Sequence, residues 1–224
     1  MKLRCICDKP RNCATNIALD EIVFTNDLFV PTFRFYTWTQ AAYTIGYFQK
    51  FNDIANSNGC PIVRRLTGGL TVLHEKDLSF SFIASDEIWP HIYDQEKTYR
   101  MIHETLKKSL AFFNIICDRK PDVSCVSKNI SCVDTFYKDD LFLNGRKIAG
   151  SCQRRRGKRI LIEGSLHLEF DRQTIEKFSA VFFKNAAEIL NCEISVENLT
   201  DYETNSAALL VNSKYNADKW SRLF

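Results

Sequence analysis

No run of about 18 apolar residues occurs in the 224-residue chain, so a transmembrane helix is not expected. The basic N-terminus, Met1-Lys2-Leu3-Arg4, leads into an apolar stretch too short for a signal peptide, and a cytoplasmic location follows by default. The nine cysteines, at 5, 7, 13, 60, 117, 125, 132, 152 and 192, form no Cys-x-x-Cys pair. A four-cysteine zinc site therefore has no support, and in a reducing cytosol most of these thiols are expected as small core residues. The net charge is only +3, and no strongly basic face with interleaved aromatics is visible, which argues against nucleic-acid binding. Repeats, low-complexity tracts and linkers are also missing, so residues 1–224 are expected to form one domain.

What is present is a core. Hydrophobic residues make up 45% of the chain and aromatics 12%, with 17 phenylalanines, a composition that argues against disorder. Thr15 or Asn16 is a candidate cap for a first helix. Residues 32–38, with alternating aromatics, read as a strand, as do 43–48, 61–65, 71–73 and 78–84. Residues 50–57 read as a short helix closed by Asn58 and Gly59. Tyr99, Ile102, Leu106, Leu110 and Phe113 share one stripe of a helix over 95–113. Asn144-Gly145 joins 140–143 to 146–155 as a hairpin, and a further strand is expected within 159–170. Helices over 173–190 and in the last thirty residues complete a mixed α+β order rather than regular βαβ units.

Two stretches carry polar chemistry. In Arg64-Arg65-Leu66-Thr67-Gly68-Gly69 a strand delivers two arginines to a paired-glycine turn. Glycines let a ligand lie against the backbone, and arginine offers a fixed fork to phosphate or carboxylate. An ordinary hairpin turn with surface arginines has the same pattern. In Asn144-Gly145-Arg146-Lys147-Ile148-Ala149-Gly150-Ser151, Lys147 follows a tight turn and precedes small and apolar residues. That setting suits a half-buried ammonium aimed at a carbonyl, phosphate or thiolate, although a solvated strand lysine is the commoner outcome. The dense run Arg154-Arg155-Arg156-Gly157-Lys158-Arg159 suits a solvated hairpin tip or the docking of an acidic partner.

Together the two stretches, with three others, resemble the lipoate–protein ligase and octanoyltransferase family, which shares its fold with the biotin–protein ligase catalytic domain. Asn16-Ile17-Ala18-Leu19-Asp20-Glu21 looks like the family's first-helix motif, and Pro31-Thr32-Phe33-Arg34-Phe35-Tyr36-Thr37-Trp38 resembles its P-T-L-R-F-Y-x-W strand. Ile45-Gly46-Tyr47-Phe48-Gln49 is similar to I-G-x-x-Q, the segment from Arg64 to His74 to R-R-x-T-G-G-x-x-V-x-H, and that from Gly145 to Gln153 to G-R-K-x-x-G-S-x-Q. The resemblance implies an α+β catalytic domain with a mixed, mostly antiparallel sheet flanked by helices; many ligases of the family add a C-terminal accessory domain, but little chain remains after Phe170 to build one, so no large accessory domain is expected. It implies an acyl tunnel lined by Arg65, Thr67, Gly68, Gly69, Leu70, Thr71, Val72, Leu73 and His74, with Gly150 and Ser151 beside it and Lys147 pointing at the reacting carbonyl or phosphate. Burying an eight-carbon chain there is worth roughly 5–6 kcal/mol at about 0.8 per CH₂.

The resemblance leaves two chemistries. A cysteine thiolate can take an octanoyl group from acyl-carrier protein as a thioester, which the lysine of a lipoyl domain then attacks. One branch of the family places that nucleophile fifteen positions before the motif lysine, which here is Cys132; Cys152 is a second candidate. Alternatively, lipoate and ATP form an adenylate, with Arg65, the Gly68-Gly69 backbone and Lys147 as phosphate clamp and Asp140 as a ligand for Mg²⁺. The thioester route is preferred, and it needs no tightly bound cofactor; ATP and Mg²⁺ enter only with ligation. Expected carriers are lipoyl domains of 2-oxoacid dehydrogenases or the glycine cleavage carrier protein. Leu70, where glycine or arginine is usual, and Glu163, where the family has histidine, depart from the pattern. They also admit a third reading, a carrier- or lipoate-binding protein without turnover.

Overall fold

The computed structural model describes residues 2–53, 59–119, 137 and 139–224. In chain order the elements are β1 (Lys2–Cys7), α1 (Cys13–Thr25), β2 (Thr32–Tyr36), β3 (Ala42–Ile45), β4 (Ile62–Arg64), β5 (Val72–His74), β6 (Leu78–Ser85) and α2 (Gln95–Ala111). There follow β7 (Asp118–Arg119), β8 (Leu141–Leu143), β9 (Arg146–Arg156), β10 (Arg159–Leu166), α3 (Arg172–Leu190), β11 (Glu193–Val196), α4 (Asp201–Leu210) and α5 (Asp218–Ser221). Among the described residues eight strands form one sheet, in the order β11-β1-β2-β6-β10-β9-β8-β7, and β4-β3-β5 form a second. Pairing in the large sheet is antiparallel except where β1 meets β11 and β2. This is the α+β sheet-and-helix architecture expected above.

The period-two alternation of strand side chains explains the two faces of the large sheet. Phe33 and Phe35 of β2, Phe80 and Phe82 of β6, and Ile160 and Ile162 of β10 point to one side, where they meet Phe178, Phe182 and Phe183 of α3 and Ile102 and Leu106 of α2. The rings of Phe33 and Phe182 lie 4.5 Å apart, and Phe35 meets Phe182 edge-on at 5.0 Å. Each fully buried large apolar side chain contributes about 1.5–3 kcal/mol, so this layer is the main source of stability. The intervening residues, Arg34, Tyr36, Ser79, Ser81, Glu163 and Ser165, are also buried. They face α1 and the small sheet.

Arg34 is accommodated there by Asp20 and Asp8, each at 2.8 Å, and by the Asn16 side chain at 2.7 Å. Asn16 is therefore a buried partner inside α1, not its cap. The cap is Asn12, whose side chain accepts from the Thr15 amide at 2.9 Å. Strand β3 stops at Ile45 rather than continuing to Phe48, because Gly46 packs directly on the Gly69 carbonyl; a Cβ added at Gly46 would lie 2.0 Å from that oxygen. Of the helix expected over 50–57, the described part is a 3₁₀ turn at Phe51–Asp53; 54–58 lie outside the described residues. β1 and β11 have no counterpart in the expectations. The hairpin at Asn144-Gly145 forms as expected, with both residues at positive φ (50° and 77°).

Candidate active site

The polar face of the large sheet, covered by α1 and the small sheet, encloses a cavity of about 810 Å³ including its open mouth. Its walls come from three directions. Tyr36, Trp38, Ser79, Glu163, Ser165 and His167 rise from the sheet; Thr44, Arg65, Gly69, Leu70, Val72 and His74 come from the small sheet and its glycine turn; Tyr137, Lys147, Gly150, Ser151 and Cys152 lie at the β9 edge.

Both arginines of the glycine-turn motif are buried, not on the surface. Arg64 donates to the carbonyls of Gly46, Tyr47 and Gln49 and to those of Trp220 and Ser221, tying the C-terminal segment to β4. Arg65 donates to the hydroxyls of Thr67 (3.1 Å) and Thr44 (3.2 Å) and to the carbonyls of Gly68 (2.7 Å) and Leu70 (2.8 Å). Its guanidinium shapes the turn from within. Gly69 takes φ +86°, a conformation side chains rarely adopt.

Lys147, only 7% exposed, places its ammonium 2.7 Å from Asp140 Oδ2. The same carboxylate accepts the Tyr137 amide at 2.9 Å. Gly150 makes room for this pair: a Cβ there would come within 2.8 Å of Lys147 Nζ and 3.2 Å of Asp140 Oδ1. Beside it, Ser151 Oγ lies 2.8 Å from His103 Nε2, and His103 Nδ1 meets the Asp139 carbonyl at 2.5 Å. Burial lowers the His103 pKa, with Asp140 opposing, so Nδ1–H donates to Asp139 and Nε2 accepts the Ser151 hydroxyl.

A third cluster surrounds Glu163. Thr67 donates to its Oε2, and Cys152 Sγ lies 3.0 Å from the same threonine hydroxyl. Burial and the charge of Asp20 push the Glu163 carboxyl up to about 7, against the pull of Thr67 and Arg65. Burial also raises the Cys152 thiol, with Arg65 opposing; a resting thiolate is disfavoured there. A fourth chain runs from Thr44 Oγ1 to His74 Nε2 (2.9 Å), from His74 Nδ1 to Asp77 (2.9 Å), and from Ser79 to Asp77 (2.8 Å). Burial opposes ionisation of Asp77, but His74 and Ser79 hold its carboxyl well below the usual range.

Of the expected site residues, Arg65, Gly69, Leu70, Val72, His74, Lys147, Gly150 and Ser151 come together on the cavity wall. Thr67 is buried just behind it, bonded to Glu163. Gly68 supports it through its carbonyl bond to Arg65. Thr71 bonds Gln49, and Leu73, 37% exposed, is offset from Val72 and His74 by the strand alternation, so neither lines the cavity. Asp140, the expected magnesium ligand under ligation, is engaged by Lys147. Cys132 lies outside the described residues. Sequence reasoning missed Trp38, Tyr36, Ser165, His167 and His103 as neighbours of the site. Alternation along β2 and β10 was the available signal for the first four; nothing local marks His103.

Residues 12–207 match the family described as the lipoyl protein ligase A/B catalytic domain. The chain belongs to that family. An octanoyltransferase LipM from Clostridioides difficile (strain 630) is 34% identical over 185 residues, covering 78% of this lipoyl protein ligase A/B family member and 68% of the relative. A lipoate-protein ligase A crystallised with ATP superposes with a TM-score of 0.77 at 22% identity, over 99% of both chains. The bipartite lipoate protein ligase of Thermoplasma acidophilum, described with its E2 lipoyl domain, superposes with a TM-score of 0.74 at 20% identity, over 100% of this chain and 98% of the other. At these identities the two structures establish the shared fold. The family member carries no helix, among the described residues, long and apolar enough to cross a membrane.

Proposed function

We propose that this enzyme transfers an octanoyl group to the lysine of a lipoyl domain, with the thiol of Cys132 carrying the acyl group as a thioester and the Lys147 ammonium beside the reacting carbonyl. The observation that carries the reading is the buried Lys147–Asp140 pair on the wall of the cavity, held open by Gly150. A cation fixed in a water-poor site stabilises the oxyanion that develops when a thioester is attacked, and it needs no reorganisation to do so. The cavity provides the apolar enclosure an eight-carbon chain requires, through Trp38, Leu70, Val72 and Ile17.

In the first half-reaction the Cys132 thiolate attacks the carbonyl of octanoyl-acyl-carrier protein. A C–S bond to the enzyme forms and the carrier's C–S bond breaks, releasing its thiolate. In the second, the lipoyl-domain amine attacks the enzyme thioester; an amide forms, the amine loses a proton, and the Cys132 thiolate leaves. The similarity to an octanoyltransferase supports this route. So does Arg65: as a phosphate clamp for an adenylate its guanidinium is already engaged by Thr67, Thr44, Gly68 and Leu70.

The test is intact-mass analysis of the protein after incubation with octanoyl-acyl-carrier protein, followed by addition of a lipoyl domain. An octanoyl adduct that disappears in Cys132→Ser, and moves to the lipoyl domain in the wild type, is expected. Modification of the lipoyl domain that requires ATP and survives Cys132→Ser would replace this reading with ligation.

A further inference from the structure

His103 stands on α2 among residues that pack against the phenylalanine layer. Its helix neighbours Ile102 and Leu106 are fully buried and apolar, and His103 itself is 1% exposed. An imidazole at such a position is costly unless both ring nitrogens are paired. Both are, and the partners flank the Lys147–Asp140 pair. Nδ1–H donates to the carbonyl of Asp139, in the peptide group that leads into Asp140. Nε2 accepts the hydroxyl of Ser151, next in the chain to Gly150.

The β8–β9 ladder explains why a side chain is needed there. It pairs Leu143 with Arg146, Phe142 with Lys147 and Leu141 with Ala149, with a register shift between Leu141 and Phe142. Asp140 and Asp139 precede Leu141, the first residue of β8, so the register carries them to the level of Gly150 and Ser151. The imidazole extends the crossing past the end of the ladder, from the Asp139 carbonyl to the Ser151 hydroxyl. The Asp140 carboxylate is then held by Lys147 Nζ at 2.7 Å and the Tyr137 amide at 2.9 Å. Arg100 and Arg119 also reach the Asp139 carboxylate, each at 3.4 Å, but from half-exposed positions where an ion pair contributes little. The buried anchor is His103.

We propose that His103 is a positioning residue for acyl transfer: by tying the Asp139–Asp140 peptide to Ser151 it sets where Asp140, and through it the Lys147 ammonium, sits beside Gly150. The inference rests on the role proposed above for Lys147 at the reacting carbonyl. A preorganised cation loses its effect when it is displaced, and a shift of about 1 Å costs on the order of 100-fold in rate. His103 does not line the cavity, so it reaches the reaction only through this pair. An apolar side chain in its place leaves the Asp139 carbonyl and the Ser151 hydroxyl without the ring that joins them, and frees Asp140 to move.

The test is a double-mutant cycle of His103→Leu and Asp140→Ala, read as steady-state transfer from octanoyl-acyl-carrier protein to a lipoyl domain, with a thermal melt of each protein. His103→Leu alone is expected to lower kcat roughly 10–100-fold, with KM for the lipoyl domain unchanged. His103→Gln, whose amide keeps an N–H donor and a carbonyl acceptor, recovers most of that loss. In the Asp140→Ala background His103→Leu costs little more, because the group it positions is gone. Equal fold losses in the two backgrounds, or a glutamine variant no better than the leucine one, would mean a packing role alone and overturn the inference. A loss confined to KM would overturn it as well. If His103→Leu does not fold, Ser151→Ala takes its place in the cycle with the same expectation. Transfer that requires lipoate and ATP and survives Cys132→Ser would sink the thioester reading, while His103–Asp140 coupling measured on that reaction would leave the positioning role standing. No modification of the lipoyl domain by the wild type under either condition would remove both.

Discussion

Lys147 and Gly150 depend on each other. The glycine's missing side chain is the space the ammonium occupies, so Gly150→Ala must displace the flexible end of Lys147 rather than the backbone. We expect transfer to fall on the order of 100-fold, the usual cost of a misplaced group of about 1 Å, with the melting temperature nearly unchanged; paired rate and thermal-melt measurements check this. Glu163 has a separate effect, on stability. Its folded value of about 7 lies above the ordinary 4.5, so the native state holds this proton more tightly than the unfolded chain. The resulting stabilisation is complete below about 4.5 and is lost as pH rises through about 7. The melting temperature of the wild type should therefore decline relative to that of Glu163→Gln across this window, and a parallel decline in both proteins would refute the assignment.

What could be read from the chain differed from residue to residue. The importance of Lys147 was legible because a glycine turn, a lysine and small residues occur in one stretch. Its partner was legible only as a magnesium ligand, since nothing local says that Asp140, seven positions earlier across a hairpin, will pair with it. The burial of Arg64 and Arg65 was not legible either. Their partners are backbone carbonyls and hydroxyls from β3, the glycine turn and the C-terminal segment, and a sequence pattern does not record carbonyls.

At the scale of elements, the seam between the small sheet and the glycine turn positions the cavity. Gly46 touches the Gly69 carbonyl, Tyr47 N donates to the Thr67 carbonyl at 2.8 Å, and Arg64 spans from β4 to the carbonyls following β3. Gly46→Ala sets a methyl against backbone, which cannot swing aside as a lysine can. A loss of about 1–3 kcal/mol is expected in denaturant unfolding, together with reduced acyl binding. Strand identity was mostly legible here through alternation, because β2, β6 and β10 each bury an apolar face against α2 and α3. β1 and β11 were not: their pairing is parallel and joins the two ends of the chain, a contact no short window contains. The cap of α1 was misplaced by a few residues because Asn12 and Asn16 are both good capping types, and only the buried Arg34 decides that Asn16 belongs inside.

At the scale of the whole molecule, the phenylalanine layer and the polar face are built on the same strands but do different work. Phe33→Ala should cost about 3–5 kcal/mol without altering the acyl preference of the surviving folded protein, which unfolding and binding measurements can separate. The basic run is likewise divided. Arg155 and Arg159 bond main-chain carbonyls at Ile92 and Asn26, and Arg154 lies over the Tyr47 ring, while Arg156 and Lys158 are exposed. Only the exposed pair suits an acidic carrier domain. Reversing both charges should raise KM for the carrier at low salt, with the difference vanishing at high salt as screening sets in; an unchanged salt dependence would place the docking surface elsewhere.

The central claim is that Cys132 and Lys147 together move an octanoyl group, and single-turnover mass analysis addresses it most directly. With octanoyl-acyl-carrier protein alone, the wild type should gain one octanoyl group, hold it until a lipoyl domain is added, and then lose it to the domain's lysine. Cys132→Ser should gain nothing and modify nothing. A lipoyl domain acylated by Cys132→Ser, with ATP required, would contradict the account.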